Sequence, residues 1–554
     1  MKKNLLFVFL ALFITVGQVL AQQKTITGKV TSAEDNGPLP GVSIKVKGSA
    51  NGVSTNSEGV YSIRASAGQV LVFSSIGFVT QEKTIGNEAT INLQMGGDSK
   101  SLDEVVVTAY GIERSQKSLG YDAQSVKGAD IAKTQRGNFI NSLQGRVAGV
   151  TITPTNGTPG ASSQIIIRGA VSLDGDNQPL FVVDGLPISN NTFSEYGLVG
   201  QGTFNRQNDY GNRAMDINPD EIESVTILKG PEASAIYGTQ GASGAVVITT
   251  KRAKAGKAAI TYNNSFRADR AYRFPDIQKV YGGGAGGIFD EEVRTRTYFG
   301  ARWPSNRQFY DNLGAFYQTG WTQRHNAAIE GGSEALSVRT GIGFENQNGV
   351  IPGTDYRTIN FKVTGTAKIS DKISTNASVN MISSKTNKAY KGASSPMLSV
   401  LTWPIVDDIR NRYTETGDRR TITGMNNAEL DNPIWAMENN PNSDQVSRIL
   451  SNLGITYAPT DWLNFRGTFG ADIYTMQGFS GYHPQAYLAN VASSRYAGGG
   501  LNTFSEDKKL FNGSFVASAQ KSFGKFRPAI RVGYDFNDDR DQITAQFGSR
   551  FYQT

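Results

Sequence analysis

From about residue 258 onward, apolar and polar positions alternate with a period of two. Leu336, Val338, Ile342 and Phe344 are interleaved with Ser337, Arg339, Gly341 and Gly343. Ile359, Phe361, Val363, Ala367 and Ile369 are interleaved with Asn360, Lys362, Thr364, Thr366 and Lys368. The same texture recurs at Ile373–Met381, Leu463–Ile473, Phe511–Ala519 and Ile530–Phe536. Successive side chains of a strand point to opposite faces, so each segment predicts a strand with one apolar and one polar face. About ten such segments are present, each of roughly 9–13 residues, the length of a tilted strand crossing a bilayer. Short turns at 369–373 and 458–462 alternate with long connections such as 386–444, as in barrels with short periplasmic turns and long external loops. A soluble antiparallel β-protein also buries one face, so the alternation alone leaves both readings open.

Upstream the pattern differs. Residues 115–252 mix short strands with short helices and predict a mixed α/β globule. Phe139, Leu143 and Val147 follow helical spacing within 138–147. Val150–Thr153, Ile165–Gly169, Phe181–Val183 and Val225–Leu228 read as strands, the third ended by an Asp184-Gly185 turn. Asn218-Pro219-Asp220-Glu221 has the form of a helix start, with Asn capping, Pro first and Glu reaching back. Pro231–Tyr237 predicts a short helix closed by Gly238. Residues 24–96 hold short strands at 25–30, 42–46, 61–63 and 70–73, separated by turn clusters at 35–38 and 57–59. That spacing predicts a small β-sandwich. Between these regions, 97–101 reads as a linker, and 102–111 (Leu-Asp-Glu-Val-Val-Val-Thr-Ala-Tyr-Gly) as a short apolar strand.

The first residues have the form of a secretory signal over 1–21. Lys2 and Lys3 give a positive start, Leu5–Val16 a short apolar core, and cleavage after Ala21 would leave Gln22 first.

Composition narrows the chemistry. No cysteine is present, which excludes disulfides, thiol catalysis and thiolate metal sites, and a lipid anchor at residue 22. The two histidines, His325 and His483, are too far apart for a zinc signature. Asp174-Gly175-Asp176-Asn177 is a fragment of a calcium loop without the remaining ligands, and reads as a polar turn. Asp103 and Glu104 are neighbours in sequence only, so acid–base catalysis has no support. No catalytic residues, metal site or cofactor are expected, and the chain is read as not an enzyme. The net charge of +7 is scattered rather than clustered, which argues against nucleic acid as a partner. Most Tyr and Trp of the alternating half are expected in interfacial belts.

Three motifs occur in a fixed order: the 102–111 strand, then Phe-Val-Val-Asp-Gly-Leu-Pro-Ile at 181–188, then Lys229-Gly230-Pro231 with Gly241-Ala-Ser-Gly244. They resemble the Ton box and plug of a TonB-dependent outer-membrane transporter. Gly28-Lys29-Val30, Leu39-Pro40-Gly41-Val42 and 55–61 resemble a carboxypeptidase-regulatory-like domain. The complete order resembles the SusC/RagA branch of the family. The fold class expected is mostly β: a small β-sandwich, a mixed α/β plug and the first part of a large antiparallel transmembrane β-barrel.

The resemblance divides the chain into a signal peptide (1–21), a regulatory-like sandwich (24–96), a Ton box (102–111), a plug (115–252) and a partial barrel (258–554). It implies a Gram-negative outer-membrane location with the N-terminal domain periplasmic. It also implies import of a large oligosaccharide or peptide, without indicating which. The partners implied are outer-membrane lipid, a SusD-like surface lipoprotein lid and a TonB-type energy-transducing protein. The last would pair with Asp103, Glu104, Val105, Val106, Val107 and Thr108 by strand addition. A plugged barrel of this kind has about 22 strands, so 554 residues are expected to be the N-terminal portion of a longer protein. The alternative is a non-transport outer-surface β-protein, an adhesin or a binding or signalling receptor.

Overall fold

The computed structural model describes residues 24–550 except 34–35, 50, 76–77, 97–104, 108–112, 116–122, 174–176, 195–207, 290–298, 393–394, 421, 424–428, 488–497, 525 and 527. The signal-cleavage pair Ala21 and Gln22, and Asp103, Glu104 and Thr108, lie outside the described residues. So does most of the 174–177 turn; its last residue, Asn177, accepts from the backbone N–H groups of Val171 and Ser172. The fold is mostly β, as expected.

The N-terminal sandwich is one compact unit. Its strands are β1 (Lys24–Ser32), β2 (Ser43–Val46), β3 (Gly52–Ser54), β4 (Val60–Ala65), β5 (Val70–Ser74), β6 (Gln81–Thr84) and β7 (Leu93–Met95). They form a three-stranded sheet, β4-β1-β7, and a four-stranded sheet, β3-β2-β5-β6. Inward positions of both meet in one core around Ile26, Ile44, Tyr61, Ile63, Leu71 and Phe73. The Tyr61 hydroxyl donates to the Ile91 carbonyl at 2.8 Å, and burial pushes its ionisation up to about 12.

Val105–Val107 is a short strand, β8, paired with β9 (Glu113–Ser115) in a two-stranded ribbon.

The plug strands are β10 (Ala123–Lys127), β11 (Val150–Pro154), β12 (Ser163–Ile167), β13 (Leu180–Val183), β14 (Leu186–Ile188), β15 (Ile222–Leu228) and β16 (Ala245–Thr250). A mixed five-stranded sheet runs β10-β15-β16-β13-β14, with β11-β12 as a separate hairpin. β16 sits centrally, parallel to β13 and antiparallel to β15. Its run Ala-Val-Val-Ile is buried throughout, as a strand covered on both faces requires. The expected turn joins β13 to β14, with Asp184 and Gly185 both at positive φ, the geometry of a two-residue hairpin. Gly241 and Gly244 mark close approaches. A Cβ at Gly241 would lie 2.5 Å from the Ala233 carbonyl oxygen, and one at Gly244 2.8 Å from Ile167 Cδ1.

Two expectations change here. The helix of 138–147 is shorter, Phe139–Ser142, capped by the Asn138 side chain on the Ile140 N–H. The start at Asn218 does not propagate: Pro219–Glu221 is a single 3₁₀ turn running directly into β15. Asn218 does cap it, accepting from the Asp220 N–H. The Glu221 carboxylate is engaged by Arg339 and so does not reach back to close a capping box.

The C-terminal half is one nine-stranded sheet. Its strands are β17 (Gly256–Asp269), β20 (Gly320–Gly332), β21 (Leu336–Asn348), β22 (Asp355–Lys368), β23 (Ile373–Asn387), β26 (Asn442–Thr460), β27 (Leu463–Tyr482), β28 (Gly500–Gln520) and β29 (Ala529–Ser549). Each is antiparallel to the next in chain order. Two-residue ribbons, β18-β19 (Gly284–Ala285, Ile288–Phe289) and β24-β25 (Ile422–Thr423, Glu429–Leu430), lie in the connections. At one end the connections are short (333–335, 369–372, 461–462, 521–528), and at the other they include 270–319 and 388–441.

The strands are longer than the alternation indicated, 13 to 21 residues. About ten residues suffice to cross the hydrocarbon, so the loop ends extend beyond it.

Burial along these strands is the reverse of a soluble protein. On β21 the apolar Val338, Ile342 and Phe344 are over 40% exposed, while Ser337, Arg339 and Glu345 are 6% exposed. The charged face is inside and the apolar face outside. Water does not tolerate so large an apolar surface, whereas lipid does. No helix among the described residues is long and apolar enough to cross a membrane.

Candidate functional site

The polar face of the sheet is buried because the plug lies against it. Plug and sheet belong to one compact unit, and the surface between them is a seam of ion pairs and amide contacts.

Arg448, on β26, sits at its centre, fully buried. Its guanidinium meets Asp472 of β27 at 2.7 Å and Asp216 of the plug at 3.0 Å. It also donates to the plug carbonyls of Arg213 (2.6 Å) and Ser189 (3.0 Å). Asp472 in turn accepts from the Ser189 N–H at 2.9 Å. The fork geometry of arginine is well suited to holding two carboxylates at once.

A second group lies three strands further along the sheet: Arg339 of β21 binds plug Glu221 at 2.9 Å and Glu330 of β20 at 2.9 Å. A third contact is made by Arg324 of β20, which pairs with Glu345 at 2.8 Å and donates to the plug carbonyl of Arg136.

Amides complete the seam. The Asn218 side chain donates to Asn326 (2.8 Å) and Asn360 (3.1 Å), and Asn512 donates to the Pro187 carbonyl at 2.8 Å. Toward the long-loop end, Lys388 pairs with Asp444 and donates to the Asp209 carbonyl. Burial alone would raise the Asp209 carboxyl. Hydrogen bonds from Thr155 and Ser162 and the nearby Lys391 and Lys388 outweigh it, and the carboxyl stays below its ordinary value. Asp220 shifts the other way, because desolvation outweighs the attraction of Arg324 and Lys251. A small cavity in the seam is lined by polar Asp184, Lys362 and Asp472 and, over most of its surface, by apolar residues such as Leu186, Ile217 and Leu450.

The long connections form their own packed layer. Leu313, Phe316, Ile351, Val400, Trp403 and Ile409 share a core. Arg412–Glu438 (2.8 Å) and Arg419–Asp431 (2.6 Å) bind the 388–441 connection to itself. Trp403 and Trp435 are therefore fully buried in loops rather than in interfacial belts. Trp321 and Trp462 are exposed at opposite ends of the sheet.

Of the expected Ton-box residues, Val105, Val106 and Val107 form β8. Sequence reasoning did not identify the seam residues Arg448, Asp216, Arg339 and Glu221 as partners. The signal available was the charge on the polar phase of β21 and β26; the sequence offered nothing to link Arg448 with a residue 232 positions away. Among the described residues no group of three or more Asp, Glu or His could hold a metal ion.

A charged inner wall, an apolar outer wall and a globule fixed to the inner wall define a plugged outer-membrane barrel protein. Comparison with known proteins agrees. The TonB-dependent Receptor Plug Domain matches residues 115–245, and the CarboxypepD_reg-like domain matches 26–107. TonB-dependent receptor P26 of Formosa agariphila is 30% identical over 437 residues, 78% of this chain and 41% of that protein. TonB-dependent receptor SusC of Bacteroides thetaiotaomicron is 29% identical over 80% of this chain and 42% of its own length. The RagAB peptide importer in its open-open state shares the fold, with TM-score 0.62 and 19% identity over 81% of this chain and 50% of that one. Over the part of such a protein that it spans, the chain is a SusC-like TonB-dependent receptor of the outer membrane. It spans about half or less of the length of the relatives it matches.

Proposed function

We propose that the whole protein imports a large nutrient, an oligosaccharide or peptide, across the outer membrane. The observation that carries this reading is the seam. A barrel wall with a charged lumen needs no plug to be stable in lipid, yet here two buried wall arginines, Arg448 and Arg339, are paired with plug carboxylates, Asp216 and Glu221. That arrangement suits a passage closed at rest and opened by work done on the plug. The likeness to SusC and to a RagAB peptide importer supports a carbohydrate or peptide cargo and a surface lipoprotein of the SusD kind as lid. The β8 strand, Val105–Val107, with its flanking Asp103, Glu104 and Thr108, would be the segment captured by a TonB-type protein through strand addition. The division into signal, sandwich, box, plug and barrel stands within the same proposal.

The test is uptake. A strain lacking the gene, complemented with the full natural protein, is offered fluorescent oligosaccharides and peptides too large for ordinary porins. Accumulation that needs both the gene and the proton-motive force is the expected result. Binding at the surface without accumulation would favour the adhesin or receptor alternative.

A further inference from the structure

The outer face of the sheet carries a feature that import does not use. The register places Arg357 of β22 directly opposite Lys385 of β23, with both side chains on the outward face. Like charges directly opposite each other are destabilising unless an anion intervenes. The protein supplies little: Asp355 approaches Arg357 only to 3.8 Å and already accepts from Asn387 at 2.7 Å. Lys385 has no ion-pair partner among the described residues. A second outward pair shows the usual remedy. Lys509 lies opposite Arg540, and Arg540 is held by Asp538 at 2.7 Å.

The height of the Arg357–Lys385 pair matters. Two positions along the same strands toward the short turns lie Ile359 and Ser383; two further lie the exposed Phe361 and Met381, within the apolar band. On these two strands the cations therefore sit beyond the last exposed apolar residue, Ile359, on the side of the long loops and near the aromatic Trp321 and Phe479 of other strands. From Lys385 the register continues across Gln445, Gln477 and Ser505, all outward-facing. Together with Phe479, Phe504 and Asp444, whose carboxylate is taken up by Lys388, they line a shallow concavity that is polar and apolar in equal part. Amides and a hydroxyl beside two cations suit a phosphorylated sugar.

We propose that Arg357 and Lys385, with the Gln445–Gln477–Ser505 shelf, bind the phosphorylated sugar headgroup of an outer-leaflet glycolipid. The phosphate takes the position between the two cations, and the shelf takes sugar hydroxyls.

The full natural protein, extracted in mild detergent, is examined by native mass spectrometry with purified lipid A as the probe. R357Q/K385Q is expected to bind it roughly tenfold or more weakly than the charge-matched K509Q/R540Q, as removal of two cations beside a lipid headgroup implies. R357K/K385R restores binding, and enzymatically dephosphorylated lipid A binds poorly to all forms. Equal binding by the two double variants overturns the proposal, as does undiminished binding of the dephosphorylated lipid. Displacement of the lipid by millimolar inorganic phosphate would also overturn it, since the site would then recognise the free ion.

Discussion

Arg448 shows how a single residue can hold two elements together. It has no contact with water, and its charge is balanced by Asp472 from the wall and Asp216 from the plug. Removing one member of a buried ionic group leaves the others uncompensated, which typically costs about 3–5 kcal/mol. Arg448→Met is thus expected to lower the thermal unfolding midpoint in detergent substantially, whereas an exposed control such as Arg410→Met should barely move it. Equal midpoints would remove Arg448 from the centre of the seam.

Tyr61 gives the pH counterpart in the sandwich. Its folded-state ionisation lies near 12, above the ordinary 10, so the stability it confers is complete below about pH 10 and is lost as pH rises toward 12. Tyr61→Phe, which orphans the Ile91 carbonyl at a cost of about 1 kcal/mol, should be the less stable form at pH 8. The gap should close above pH 10, read by the circular-dichroism transition of the sandwich. At this scale little was legible in the sequence. The inward charges of β21 and β26 were visible as polar phases, but an ion pair needs a partner, and the partners lie on distant elements. Glu221 was misread for the same reason: a capping box is a local pattern, and a distant arginine overrode it.

Elements were far more legible. Period-two alternation survives in the wall because each strand faces two immiscible surroundings, and no tertiary contact can blur that. The Asp184-Gly185 turn and the Pro231–Tyr237 helix followed from local chemistry, positive φ in one and proline first in the other. Strand lengths were underestimated because the strands continue past the apolar band, where alternation fades while backbone pairing persists. The general expectation of aromatic belts does not cover Trp403 and Trp435, because composition does not distinguish an aromatic buried in a connection from one at a lipid boundary.

At the element scale, β8 carries the most direct prediction. Val106→Pro removes a backbone donor and restricts Val105. Cells bearing it should bind cargo normally yet fail to accumulate it, as measured by surface binding and uptake in parallel. Normal accumulation would count against strand capture at this segment.

For the whole molecule, the decisive property is the inversion of inside and outside. The sheet buries Arg, Asp and Asn against the plug and presents Phe, Ile and Val outward. A closed wall of this type, in the full natural protein, should migrate faster on a denaturing gel when unheated than when boiled, and should fold only where detergent or lipid is present. Spontaneous folding in plain buffer would contradict the membrane reading.

The same inversion carries a hazard. Because the inner wall is largely polar, with only patches such as Ile382, Leu450 and Val446 apolar, displacing the globule would expose a surface that water wets, and in the full natural protein the passage would stay open to solutes. If the proposed import holds, the seal must be restored after each opening, and a variant slow to reseal is expected to show itself through sensitivity to vancomycin rather than through poor feeding.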